Sequence, residues 1–471
     1  MPERAALANR ISAYILFFVI AAAPLPFGSR DATTVALWCS VLGLGLILAS
    51  PRGLRAGHLA LLAGVGFVVA CYGFVLHEQL SDYPWVATPN PIWAKTAELL
   101  GRPVQPSVSI IRGQPFYALG PTLAAVLALV LGLVVGADND RARQALLVMA
   151  WAGVGYAAYG FATITGGNLT ATFVNRNTAA AFFGSCAAVW LVLLMATVRG
   201  RLPAGPIKLA AIRQNFGSES SKDKDLAVRI CMLFICLAAM FMTVSRAGIL
   251  LSLFGMVTAF LIFFRRDLPR GLSLLVALLG AGAVIWLLLR LMGSQFEGRI
   301  DVSGLVEQGR YAAYQSTLRI IADHPWFGTG WGTFAAIFPA YRSGDISTWG
   351  VWDIAHSTPL EIAAELGIPL AAIVVFAWLV AILVLLRGTR RSRRETVAPI
   401  AALAVALIAN LHSSVDFPLQ VPGYAIVVFA LVGVGLAQSL QTAPSQLRRT
   451  RKRLSEPRGD GIENVNSGIG Q

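Results

Sequence analysis

Polar and ionisable side chains stand at the edges of long apolar runs in this chain. Asn175, Arg176 and Asn177 open one run, and Ser245-Arg246 occupies a tight turn between two others. Arg310 and His324 lie in a long connecting segment. His356 precedes a further run, with Glu361 and Glu365 one helical turn apart behind it, and His412 with Asp416 closes another. An ionisable group at a membrane boundary is costly unless it is paired or working, so these positions are the first place to look for chemistry. Guanidinium forks match the oxygens of a phosphate or diphosphate. A histidine among them suits a general base, because its unperturbed pKa lies near working pH. Together they describe glycosyl transfer from a lipid diphosphate. The base takes a proton from an acceptor hydroxyl, the oxygen attacks the anomeric carbon, and cations stabilise the departing diphosphate. Fixed arginines then supply the charge compensation that Mg²⁺ gives elsewhere. No cofactor is expected, and no His and Cys spacing suggests zinc.

Each residue also has a structural reading. Arg246 could cap a helix end or snorkel to the interface, and Arg310 could be a solvated residue of a surface helix. His356 could simply open a helix, His324 could serve the turn made by the following proline, and Asp416 could cap the turn before Phe417-Pro418. Asp138-Asn139-Asp140 and Asp223-Lys224-Asp225 imitate nucleotide-sugar or metal motifs, but they fall on the opposite side from the cluster and read as decoys. The five cysteines lie inside apolar runs and read as small apolar filler.

The elements that must position these groups are membrane helices. The 471 residues are 56% hydrophobic and 13% charged, with a mean hydropathy of +0.66. A soluble protein usually carries about a quarter charged residues. The apolar runs are about 20 residues long, enough to cross a hydrocarbon core of roughly 30 Å as helices. Twelve spans are predicted, at about 11–27, 33–50, 57–77, 116–137, 144–163, 177–198, 227–244, 247–264, 272–293, 361–386, 397–414 and 420–440. Arg4 and Arg10 before the first run mark a retained first helix rather than a cleaved leader. The formal charge of +14 is spread along the chain and not gathered on a soluble face, so it reads as topology and not as nucleic-acid binding. Most of the 38 Lys and Arg fall on the side that holds both termini, which makes that side cytoplasmic.

The fold class expected is therefore an all-α polytopic membrane protein, a single transmembrane domain over 1–440 with a large, partly helical periplasmic loop at 294–360 between spans nine and ten. In that loop Tyr311, Tyr314, Leu318 and Ile321 recur at helical spacing and predict an amphipathic helix from Arg310 to Ala322. Phe327-Gly328-Thr329-Gly330-Trp331-Gly332 is a glycine-rich turn, not a nucleotide loop, because no βαβ unit surrounds it. Arg199 to Leu226 reads as a flexible connector. Residues 441–471 read as a basic cytoplasmic tail, disordered and laid with Arg448 to Arg453 against anionic headgroups.

At these residues the chain resembles the O-antigen ligase and polysaccharide polymerase family of inner-membrane proteins. Phe173 to Ala180 is similar to the family's F-x-N-x-N segment, and Thr243 to Gly248 to its S-R-G turn. Gly309-Arg310 followed by Ala322 to Gly330 resembles its G-R, helix, H-P-x-x-G-x-G stretch. Ala355-His356 through Leu360 and Glu365-Leu366-Gly367 resembles H-N-x-x-L…E-x-G, and His412 to Pro418 resembles H-S-x-V-D-F-P. The motifs keep the family's order from about 170 to 425. The resemblance implies a polyprenyl (undecaprenyl) diphosphate-linked glycan donor, an acceptor glycan or lipid A core, surrounding membrane lipids and metal-independent transfer at the periplasmic face of a bacterial inner membrane. Carried over by position, Arg246 and Arg310 hold the diphosphate and His356 activates the acceptor. Arg176 with Asn175 and Asn177 is a further substrate-binding group, and Ser245, His324, His412, Asp416 and Glu365 support them. Ser357, Pro359 and Ala247 depart from the family pattern and bear on acceptor recognition. Ligase and polymerase stand even. The rival readings are a polysaccharide or lipid transporter or flippase, and a non-catalytic assembly scaffold.

Overall fold

Long apolar runs with few charges leave a chain no economical way to satisfy its backbone in lipid except as helices, and the protein is helical accordingly. The computed structural model describes residues 2–164, 167–203, 220–269, 271–283, 285–286, 290, 308–344, 346, 352–390 and 396–441, and no strand occurs among them. The predicted tail from residue 442, including Arg448 to Arg453, residues 204–219 of the Arg199 to Leu226 connector and the start of the periplasmic loop up to residue 307 lie outside the described residues.

The helices are α1 (Pro2–Ala22), α2 (Ala32–Leu48), α3 (Ala56–Leu80), α4 (Ile92–Leu100), α5 (Gln114–Tyr117), α6 (Leu119–Val135), α7 (Asn139–Thr163) and α8 (Arg176–Arg201). They continue as α9 (Ser220–Met242) and α10 (Arg246–Phe264), α11 (Gly271–Ala283), α12 (Gln308–Asp323), α13 (Phe334–Tyr341), α14 (Thr358–Leu366), α15 (Ile368–Gly388), α16 (Val397–Val415) and α17 (Pro422–Leu440). Among the described residues nine helices are long and apolar enough to cross a membrane, and Ala6–Ala22, Ala32–Leu48 and Gly271–Ala283 are shorter apolar helices. The chain is thus a multi-pass helical membrane protein. Predicted span 361–386 is not one helix: it breaks at Gly367, whose φ of 87° ends α14 before α15 begins. Glu361 and Glu365 therefore ride on a separate short helix.

Two expectations change with the structure. Helix α12 forms, but Tyr311 and Leu318 are exposed, and the buried face is Ala312, Ala313, Ser316, Thr317, Ile320 and Ile321. Small residues make most of the packing stripe, with Ile320 and Ile321 as its large apolar members. The Arg199 to Leu226 connector is shorter than predicted, because α8 runs to Arg201 and α9 starts at Ser220. Arg199 is buried and pairs with Asp267 at 3.1 Å. The decoy acids do structural work: Asp138 caps α7 through Asp140 and Arg141 N–H, Asp223 pairs with Arg201 and Asp225 with Arg229.

The core is built on α8, α16 and α17, which are the most completely buried spans. Helix α17 lies against α6 through small residues. A side chain at Gly132 would meet the Ala430 carbonyl, and one at Gly433 would meet Leu129 O, so the two backbones approach as closely as glycine permits. This rigid centre holds the N-termini of α8 and α10 and the C-terminus of α16 at one end.

Candidate functional site

Asp416 follows the last turn of α16 and its side chain is 1% exposed. Four segments distant in sequence converge on it. Its Oδ1 accepts from His356 Nδ1 at 3.3 Å, its Oδ2 lies 3.4 Å from Arg310 Nη2, and Asn177 Nδ2 donates to the same Oδ2. Asn177 Oδ1 in turn accepts from Ser245 Oγ at 2.7 Å. Burial alone would raise the Asp416 carboxyl, but the His356 hydrogen bond and the nearby Arg310, His356 and His412 outweigh it and hold the group below the usual carboxylate value.

The local sequence explains why these groups meet. Asn175 has extended backbone and accepts from Asn177 N–H at 2.6 Å, capping α8. Ser245 caps α10 by accepting from Gly248 N–H at 3.3 Å. Asn and Ser are strong N-caps because a short polar side chain satisfies an orphan helical N–H. Two helix N-termini therefore point their partial positive charge at one place, a ready anion site. Arg310 adds a full charge from the first turn of α12. Val244, at φ 52°, reverses the chain tightly enough for α9 and α10 to share this end.

His356 stands between aromatic edges, 5.5 Å from the Trp352 ring and 5.2 Å from that of Phe417. A carboxylate only accepts, so the proton sits on Nδ1 and Nε2 is the basic ring atom. Its side chain is 24% exposed, and that of Arg310 25%, so both open to the outside while Asp416 does not. The arrangement can accept a proton and can draw an anion to the same spot.

The remaining predicted residues divide. Arg176 and Arg246 are the first residues of α8 and α10, each one position from a cap of the cluster, and Arg176 Nη1 is buried without a hydrogen-bond partner among the described residues. His412 is fully buried one turn before Asp416, beside Gly248; neither ring nitrogen has a hydrogen-bond partner among the described residues. His324 lies past the far end of α12, about 20 Å along the helix from Arg310. Burial lowers its pKa. Glu365 belongs to the glycine-rich turn: its carboxylate accepts from Gly332 N–H at 3.0 Å and Phe334 N–H at 2.6 Å. Burial pushes Glu365 well above the ordinary range and Glu361 up to about 7.

Sequence reasoning missed two groups. Gln79 bonds the carbonyls of Phe327 and Glu365 through Nε2 and Trp331 N–H through Oε1, fastening α3 to the glycine-rich turn; the polar pair Glu78-Gln79 ending an apolar run was its signal. Tyr314 hydroxyl bonds the carbonyls of His356 and Val415. Glu361, which the sequence places with Glu365 behind His356, accepts from Ala355 N–H at 2.7 Å.

No curated protein matches the chain. Residues 231–375 match the family model described as O-antigen ligase. The matched segment runs from within α9 into α15 and contains Ser245, Arg246, Arg310 and His356, while Asn177 and Asp416 complete the cluster from outside it. Over that segment the chain is O-antigen ligase-like, carried on a multi-pass helical scaffold.

Proposed function

We propose that this chain transfers a glycan from a polyprenyl diphosphate carrier to an acceptor at the periplasmic face of a bacterial inner membrane, with twelve spans and both termini cytoplasmic. His356 is the general base: Asp416 keeps its proton on Nδ1, and Nε2 takes the proton of the attacking hydroxyl. Arg310, Arg246 and Arg176, with Asn175 and Asn177, receive the diphosphate at the two helix N-termini and stabilise it as it leaves. The fixed cations make a metal unnecessary for this step. The acceptor is a growing glycan or a lipid A core, so ligase and polymerase stand as equal forms of one reaction.

The observation that supports the reading is the single hydrogen-bonded chain from Ser245 through Asn177 and Asp416 to His356 and Arg310. Purified protein supplied with lipid-linked glycan and acceptor should release polyprenyl diphosphate only when acceptor is present. Arg246→Ala, Arg310→Ala and His356→Ala should each lower that release by about 100-fold. Near-normal turnover in all three variants defeats the assignment, and acceptor-independent movement of intact donor favours a transporter.

A further inference from the structure

His356 has φ 53°, a left-handed backbone conformation that costs energy for any residue with a Cβ. Such strain persists only where neighbouring structure over-determines it. On the N-terminal side, Glu361 Oε2 accepts from Ala355 N–H at 2.7 Å. On the C-terminal side, the Tyr314 hydroxyl lies 3.0 Å from the His356 carbonyl and 3.2 Å from the Val415 carbonyl. That hydroxyl has one proton, and its two acceptors belong to different segments. One is the backbone of the histidine, and the other is the residue directly before Asp416. Tyr314 thus spaces the two strands of chain whose side chains meet as the His356–Asp416 pair.

Helix capping accounts for only part of this. Ser357, the N-cap of α14, makes no side-chain cap bond, and Glu361 reaches back past it to the residue preceding His356. A cap needs neither a left-handed residue in between nor a tyrosine from another helix. Tyr314 also lies one turn along α12 from Arg310, so the helix that carries the arginine fixes the histidine too.

We propose that Tyr314 and Glu361 are positioning residues that clamp the His356 backbone from both sides, aiming Nε2 at the acceptor hydroxyl while Nδ1 keeps Asp416. The inference rests on His356 acting as the base. Misaligning a reacting group by about an ångström can cost about 100-fold. Tyr314→Phe, which removes one oxygen and little volume, should lower kcat by about 10- to 100-fold and leave the donor KM within about twofold. Glu361→Ala should behave alike, and Glu361→Gln, which keeps an acceptor oxygen for Ala355 N–H, should recover most of the loss.

The measurement is acceptor-dependent turnover of the full-length protein in detergent or nanodiscs, with thermal midpoint and size-exclusion profile recorded for every variant. If Tyr314→Phe does not fold, the Glu361→Ala and Glu361→Gln pair decides alone. Wild-type kcat in Tyr314→Phe and Glu361→Ala, or a raised donor KM at unchanged kcat, or failure of Glu361→Gln to recover turnover, overturns the clamp. With His356→Ala inactive in the same assay, those outcomes leave the base assignment standing. An active His356→Ala removes the reading on which the clamp depends.

Discussion

Asp416 serves three side chains and the Phe417 N–H at once, and its replacement separates charge from shape. Asp416→Asn keeps the size but offers His356 an amide that can donate, which favours the tautomer with the proton on Nε2 and removes the basic atom. We expect kcat to fall by about 100-fold or more, measured as acceptor-dependent diphosphate release. The folded carboxyl lies below its ordinary value of 3.8, so the stability it contributes is present above about pH 4 and is lost as pH falls through the folded value. The gap in thermal midpoint between wild type and Asp416→Asn should hold steady at neutral pH and close on acidification; a gap that widens in acid contradicts the pairing. His356, Asp416, Asn177 and Ser245 were legible in the sequence because each is polar at the edge of an apolar run, and Arg310 because it opens the amphipathic helix of the long connecting segment. The same two signals picked out Glu365 and His324, which serve scaffold and helix end, since neither says which way a side chain turns. Tyr314 was read as an apolar stripe residue. Its partners lie 42 and 101 residues away and are backbone carbonyls, which carry no sequence mark.

At the scale of elements, nine of the twelve spans expected from hydropathy are helices long and apolar enough to cross a membrane among the described residues, and hydropathy did not show the break at Gly367. Ile362, Ala363, Ala364 and Leu366 keep the run apolar across it, so α14 and α15 look continuous. The helix ends because Gly367 takes φ 87°, which packs the turn against the Trp326 carbonyl, and because Pro369, lacking an N–H, suits the start of α15 and not the interior of a continuous helix. A Cβ there would collide with that carbonyl, and the backbone region disfavours it as well. Gly367→Ala should therefore lower stability by about 1–3 kcal/mol, read as a reduced thermal midpoint, and with it the occupancy of the α14 that carries Glu361. An unchanged midpoint would mean that the turn is looser than its contacts imply. The exposed Tyr311 and Leu318 on α12 make the related point that periodicity locates a helix better than it locates its buried side.

Across the whole molecule, the two ends of the bundle are built differently. At the end away from the cluster, the α8 terminus is locked by the buried Arg199–Asp267 pair at 3.1 Å, and Arg265 bonds the Thr389 hydroxyl and carbonyl. With its 26 residues, α8 separates the two ends by about 39 Å. Removing one partner of a buried pair leaves an uncompensated charge, so Asp267→Ala should cost about 3–5 kcal/mol. That loss should appear as poor yield and a low thermal midpoint, whereas kcat per folded molecule should stay near wild type; a selective loss of kcat would link this end to turnover. The most enclosed spans include α17, which packs on α6 through Gly132 and Gly433 and comes after every other described helix in the chain. Because α17 is made after the helices it lies among, a nascent chain cut short before residue 422 has its centre missing.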